Sequence, residues 1–198
     1  MRALRIIEHI TLDGIIQAPG GRNEDGPFEH GGWVKAHMDP VVGEAIQATH
    51  GQAFDLVLGR RTYDIWAGYW PTAKPSPVAE SINSATKFVA THRPETLAWG
   101  PAHALGADIV EGVRRAKAMA GPDLVLWGSS TITPILLANG LADRIVLITY
   151  PVLIGTGKRF FASAAPQEFV LERSQAGASG VIVNSFKPAG PMRTGNLA

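Results

Sequence analysis

Two segments of this sequence place glycine and hydroxyl side chains where an apolar run gives way to a helical pattern. They are Leu56-Val57-Leu58-Gly59-Arg60-Arg61-Thr62-Tyr63 and Leu124-Val125-Leu126-Trp127-Gly128-Ser129-Ser130-Thr131. The chemistry that suits such a junction is anion binding. A helix N-terminus offers unpaired N–H groups and a partial positive charge, glycine lets the backbone come close, and hydroxyls add hydrogen bonds. Arg60 and Arg61 add charge suited to a phosphate monoester. Either junction alone is equally well explained as an ordinary helix start, since glycine and serine are common caps. Two of them in one chain favour a ligand with more than one phosphate group.

Other phosphate and catalytic motifs fail on inspection. Gly155-Thr156-Gly157-Lys158 invites a P-loop reading, but that loop needs glycine where Val152 stands and Ser or Thr where Arg159 stands. No G-x-G-x-x-G follows the first apolar run. Gly128-Ser129-Ser130 is not a nucleophile elbow, because Ile132 occupies the second glycine position. The six histidines (His9, His30, His37, His50, His92 and His103) lack metal-ligand spacing, so no metal is expected. With no cysteine, disulfides, zinc thiolates and cysteine nucleophiles drop out together.

The elements that would position the two junctions follow from periodicity. Leu4 to Thr11, Phe54 to Leu58, Lys87 to Ala90, Asp123 to Trp127 and Arg144 to Tyr150 read as buried strands. Helices are expected from Pro40 to about His50, capped by Asp39, with Val41, Ala45 and Ala48 on one face. Others run over Thr62 to Trp66, from Asp108 to Gly121 with Asp108 and Glu111 as a capping box, and over Thr131 to Asn139. A glycine-rich loop spans Pro19 to Gly32, and Pro71 to Pro77 reads as a second loop. Glu168 to Ser174 and Gly180 to Lys187 form a hairpin, and Pro188 to Ala198 read as a tail. Strands alternating with helices, then a hairpin, predict an α/β fold: a three-layer, mostly parallel mixed sheet with helices on both faces and an antiparallel C-terminal hairpin.

Bulk properties limit the function classes. A chain of 198 residues fits one domain, here 1–187, followed by the tail 188–198. The net charge of +1, with acids and bases interspersed, offers no basic stripe for nucleic acid. Met1 to Thr11 carries isolated charges and no signal core, and no uncharged apolar run reaches about 18 residues. A cytoplasmic protein with no membrane partner is the expectation.

Five segments, in order, resemble the dihydrofolate-reductase-like superfamily. Ile10-Thr11-Leu12-Asp13-Gly14 is similar to its "S-L-D-G" opening, and Leu58-Gly59-Arg60-Arg61-Thr62-Tyr63 to its "G-R-x-T-[YW]" motif. Lys87 to Arg93 resembles the strand and loop that meet the adenosine end of NADPH. Trp127-Gly128-Ser129-Ser130-Thr131-Ile132 resembles the "G-G-S-x-T-I" phosphate loop. Pro151-Val152-Leu153-Ile154-Gly155-Thr156-Gly157 resembles the "P-x-x-[LI]-G-x-G" turn of the RibD C-terminal branch, the reductase domain of riboflavin biosynthesis. The matches cover about residues 1 to 187 and look closest to stand-alone members that lack the fused zinc deaminase.

The resemblance implies an NADPH site and hydride transfer. By position, Gly59, Arg60, Arg61 and Thr62 would cradle the pyrophosphate and 2′-phosphate, and Thr91, His92 and Arg93 would edge the adenosine. Gly128, Ser129, Ser130 and Thr131 would hold the remaining phosphate and ribose, while Leu12, Asp13 and the following loop would cover the nicotinamide. Ser129 departs from the family pattern, which has a second glycine there, and this bears on the loop geometry. The resemblance also implies a homodimer.

The substrate side is less marked. Asp39 and Asp13 are the candidate catalytic carboxylates, yet an Asp before Pro40 is explained by capping, and Asp13 beside Gly14 by a turn. Trp33 reads as a stacking wall for a flat heterocycle or as a packed aromatic. The resulting expectation is an NADPH-dependent reductase of a small heterocyclic substrate, resembling 5-amino-6-(5-phosphoribosylamino)uracil reductase. Dihydrofolate reduction and a non-catalytic NADP-binding module stand as alternatives.

Overall fold

A computed structural model describes residues 1–196. Eight strands form one sheet: β1 (Leu4–Thr11), β2 (Asp55–Gly59), β3 (Lys87–Ala90), β4 (Ala102–Ala104), β5 (Leu124–Trp127), β6 (Arg144–Tyr150), β7 (Gln167–Ala176) and β8 (Ile182–Pro191). Their order is β4-β3-β2-β5-β1-β6-β8-β7. The first six in that row run parallel, β8 is antiparallel to β6, and β7 is antiparallel to β8.

Among the described residues, five α-helices cover the sheet: α1 (Pro40–His50), α2 (Arg60–Tyr69), α3 (Pro77–Ser84), α4 (Ile109–Ala118) and α5 (Ile132–Ala138). The inner strands β2 and β5 are apolar and buried almost throughout because both faces are covered. On β1, Leu4, Ile6 and Ile10 pack with Val113, Ala116 and Leu136 of α4 and α5. Ile7 points the other way, to a cluster with Val41, Tyr63 and Ile82 of α1, α2 and α3. Among the described residues, no helix is long and apolar enough to cross a membrane.

Several boundaries differ from the periodicity reading, each for a physical reason. Helix α2 is longer than Thr62 to Trp66. It starts at Arg60, directly after Gly59, and continues to Tyr69, where Trp66 of the helix meets Trp70, the residue that follows it, edge to face. α3 arises in what read as open chain: Ser76 accepts the Ala79 N–H and Pro77 takes the first helical position. The short edge strand β4 lacks any apolar run, because it pairs only with β3. On α1 the buried face is Val41, Val42, Thr49 and His50, and Ala48 is exposed. Asp108 caps α4 through the Glu111 N–H, but Glu111 turns toward Arg115 at 3.8 Å instead of closing the capping box.

The expected tail is shorter than residues 188–198. β8 continues to Pro191, with Pro188 opposite Phe169 and Pro191 opposite Gln167. Proline is tolerated there because β8 has already left β6, whose pairing ends at Ile145 and Phe186. Beyond the strand, Arg193 is bound to Glu168 through both backbone and guanidinium. Positions 197–198 of the tail lie outside the described residues.

Candidate active site

The pairing of β2 with β5 decides the site. Leu58 sits opposite Trp127, so the two glycine-hydroxyl junctions emerge side by side at the carboxyl ends of parallel strands. They interlock. A Cβ on Gly59 would stand 2.9 Å from the Ser129 hydroxyl, and one on Gly128 would stand 2.9 Å from the Thr62 hydroxyl. Gly128 has φ 67° and Ser129 φ 76°, so two successive residues are left-handed. That conformation costs an L-residue about 1–2 kcal/mol. Ser129 offsets part of it: its Oγ accepts the Ile132 N–H at 3.1 Å and lies 3.1 Å from the Thr131 hydroxyl. The serine at the family's second glycine thus serves the start of α5 with its own side chain.

Above these junctions lies a cleft of about 1090 Å³. It brings together Gly59, Arg60, Arg61, Thr62, Thr91, His92, Gly128, Ser129, Ser130 and Thr131. Arg60 is held in place along its length. Its Nε donates to Asp64 at 2.8 Å, and its Nη1 donates to the Thr96 hydroxyl at 2.6 Å and the Thr91 hydroxyl at 3.2 Å. Nη1 also reaches the Arg93 carbonyl at 3.2 Å, so Arg93 contributes backbone to this corner while its side chain does not line the cleft.

Four more expected site residues stand elsewhere. Leu12 is 61% exposed and outside the cleft lining. Asp13 staples the 151–157 turn to the end of β1: it accepts from Gly155 N at 2.6 Å, Ile154 N at 3.3 Å and the Thr11 hydroxyl at 2.5 Å. The Thr11 hydrogen bond, with those backbone donors, holds its carboxyl below the ordinary aspartate range. Asp39 accepts from Val41 N at 3.1 Å and Ser179 N at 2.9 Å, joining α1 to the hairpin turn. Trp33 is 8% exposed, donates to the Gln17 carbonyl and meets Tyr150 edge to face at 5.2 Å. It is a packed aromatic, not a cleft wall.

The cleft also contains residues that motif reading passed over. His9 and His50 flank Trp127, with the His9 ring centroid 5.5 Å from the indole and His50 Nε2 accepting its N–H at 2.9 Å. Burial lowers both imidazoles to about 4, so they are neutral near pH 7. His9 Nδ1 lies 3.0 Å from the Tyr150 hydroxyl. With Trp66 and Trp127, His9 and His50 line the cleft as an uncharged aromatic wall whose rings are tilted against one another. Glu8 lines the floor. The available signal was Glu8-His9 itself, a polar pair between the apolar residues Ile6-Ile7 and Ile10 of a largely buried strand.

The glycine-rich loop closes one side through Asp25, whose side chain is 7% exposed. It accepts from Arg61 Nε of α2 at 2.6 Å and from Lys158 Nζ at 2.5 Å. Burial pushes this carboxyl up, but the Lys158 and Arg61 hydrogen bonds outweigh it and leave it below the usual range. The latch is therefore complete near neutral pH and is lost as pH falls through that lowered value. Asp25→Asn is expected to speed amide exchange of the Gly20–Gly32 backbone on the order of tenfold, equivalent to about 1.4 kcal/mol. Unchanged exchange would show that the loop is held by other contacts.

Comparison with known proteins agrees with this geometry. The family model for the RibD C-terminal domain matches residues 3–183. The uncharacterized protein YyaP of Bacillus subtilis (strain 168) is 26% identical over 156 residues, 77% of this chain and 76% of that protein. Two solved structures share the fold. A "putative riboflavin biosynthesis protein" from Shewanella sp. PV-4 aligns with TM-score 0.66 and 17% identity, over 94% of this chain and 99% of the other. Dihydrofolate reductase from Enterococcus faecalis, complexed with NADP(H) and RAB-propyl, aligns with TM-score 0.60 and 17% identity, over 94% and 96%. The fold is thus of the reductase type, and the chain belongs to the RibD C-terminal domain family.

Proposed function

We propose that this protein is an NADPH-dependent reductase of a small heterocyclic substrate. The observation that carries the reading is the interlocked pair of junctions at the cleft floor, where Gly59 and Gly128 leave no room for a Cβ. The residues present fit a dinucleotide. The N-terminus of α2 and the Gly128–Thr131 loop offer free N–H groups and hydroxyls to a pyrophosphate. Arg60, pinned beside Thr91, offers a fixed cation to a 2′-phosphate. The complex of the related-fold dihydrofolate reductase with NADP(H) supports the same choice of cofactor.

When bound, NADPH supplies a hydride from its nicotinamide ring. The chain's own part is positioning and exclusion of water. The wall of Trp66, Trp127, His9 and His50 suits a flat ring, and its neutral imidazoles add no charge that would compete for a proton. The loop latched by Asp25 closes one side of the cleft.

For the substrate, 5-amino-6-(5-phosphoribosylamino)uracil is the proposed class, with the sugar's imine or carbonyl carbon accepting hydride. Family membership supports it. Dihydrofolate reduction through Asp39 is disfavoured, because that carboxylate is committed to Val41 and Ser179 outside the cleft. NADPH oxidation assayed with each compound decides between them. Turnover of the pyrimidine and not of dihydrofolate is expected, and the reverse would overturn the substrate class.

We further propose a cytoplasmic homodimer. Strand β7 is a sheet edge, and Val170, Leu171 and Ile182 are exposed on its hairpin, with Leu153 beyond β6. Uncovered edges tend to be paired. Light scattering at micromolar concentration should report twice 21.1 kDa, and a 21.1 kDa particle would refute the dimer.

A further inference from the structure

Glu8 is buried, 4% exposed, in the middle of the central strand β1. Its two oxygens have different situations. Oε1 accepts the His9 N–H at 3.0 Å. That N–H lies beyond Ile7–Trp127, the last pair between β1 and β5, so the parting of the strands leaves it without a sheet partner. A structural role therefore accounts for Oε1. It does not account for Oε2, which is buried and has no hydrogen-bond partner among the described residues.

The place where Oε2 points is informative. It lies 3.7 Å from where a Gly128 Cβ would stand, beside the Thr62 hydroxyl that meets the same point at 2.9 Å. The unpartnered oxygen thus lies against the interlocked cradle, on a residue that lines the cleft. An ionised carboxylate there would repel phosphate groups in a partly desolvated site. A carboxylic acid would instead donate a short, charge-assisted hydrogen bond. Burial pushes Glu8 well above the ordinary glutamate range; the His9 N–H opposes this, and the charge of Glu24 reinforces it.

We propose that Glu8 is a cofactor-binding residue that donates a proton-dependent hydrogen bond to an anionic oxygen of the dinucleotide, so that loading the site requires a proton on Glu8. This rests on the cofactor reading above. The surrounding charged groups are few. His9 on the same strand and His50 of α1 are held near 4 by burial. The Tyr150 phenol of β6 is pushed up by burial. Asp25 of the loop is paired with Arg61 of α2 and Lys158. Glu24 of the loop is itself raised by burial and is the other carboxyl able to titrate in the same direction.

The test is calorimetric titration of the intact protein with NADH and NADPH, from roughly pH 5 to pH 9, in buffers of different ionisation enthalpy. NADH carries no phosphate monoester, whose own ionisation near about pH 6 would otherwise mix into the signal. In the wild type, NADH should bind with net proton uptake, and Kd should rise by about tenfold per pH unit above the free-protein Glu8 value. Glu8→Gln keeps an oxygen for the His9 N–H and places a permanent N–H donor at the cradle. It should bind as tightly as the wild type does at low pH, with neither slope nor proton uptake. Glu24→Gln should retain both. If Glu8→Gln and the wild type share one slope and one proton count, Glu8 is not the group and the inference is overturned while the cofactor reading stands. If neither cofactor binds at any pH, both fall. Carbon-13 NMR of labelled glutamate in the wild type covers a variant that fails to fold. A Glu8 carboxyl protonated in the NADH complex is expected, and an ionised one in that complex would overturn the proposal.

Discussion

Gly128→Val is expected to weaken NADPH binding on the order of a hundredfold while leaving most of the fold intact. Gly128 has φ 67°, where an L-residue pays about 1–2 kcal/mol and a β-branched one more. Its new Cβ would also lie 2.9 Å from the Thr62 hydroxyl, so Thr62 and the first turn of α2 must move. That turn presents the N–H donors aimed at the phosphates. Losing one hydrogen bond to a charged group costs about 1.5–3 kcal/mol, or roughly 10- to 150-fold in Kd. Quenching of the cleft tryptophans Trp66, Trp70 and Trp127 measures the affinity, and thermal unfolding checks the fold. Gly59→Ala attacks the second contact of the interlock, Gly59 against the Ser129 hydroxyl, and should act in the same direction. Affinities within about threefold of wild type for both variants would mean that the cradle is not where phosphate binds.

Arg60→Gln is expected to remove most of the preference for NADPH over NADH, a change of roughly 10- to 100-fold in the ratio of the two Kd values. The guanidinium is pre-organised: Asp64 holds Nε, and Thr91, Thr96 and the Arg93 carbonyl hold Nη1. A fixed cation loses little freedom when a phosphate arrives, so most of its charge-assisted contact appears as affinity. NADH lacks that phosphate and should bind the variant nearly as it binds the wild type. Equal losses for both cofactors would place Arg60 on the pyrophosphate instead, and no loss would remove it from the site.

Much of this architecture was legible because parallel strands covered on both faces leave apolar runs, as at Leu124–Trp127 and residues 145–148. The two junctions were visible from residue type, although that they touch depends on the pairing of β2 with β5, a contact between Leu58 and Trp127 that no local pattern encodes. Short elements were less visible. β4 has three residues, and α3 opens with Ser76-Pro77 inside a proline-rich stretch that resembled a loop. The carboxylates illustrate a different difficulty. Asp13 and Asp39 stand in conspicuous turn positions and are used by the backbone there, whereas Glu8 is hidden in a strand and reaches the cleft only because β1 and β5 diverge after Ile7. A charged residue inside a doubly covered strand is costly unless it is neutralised or serves a site, and that cost is the readable signal.

The central claim is that the cleft between the two junctions binds NADPH. Parallel fluorescence titrations of the wild-type protein with NADPH and NADH at one pH and ionic strength test it most directly. Saturable quenching by both is expected, with NADPH tighter by about tenfold or more. Equal affinities, or no saturable signal with either cofactor, would contradict it.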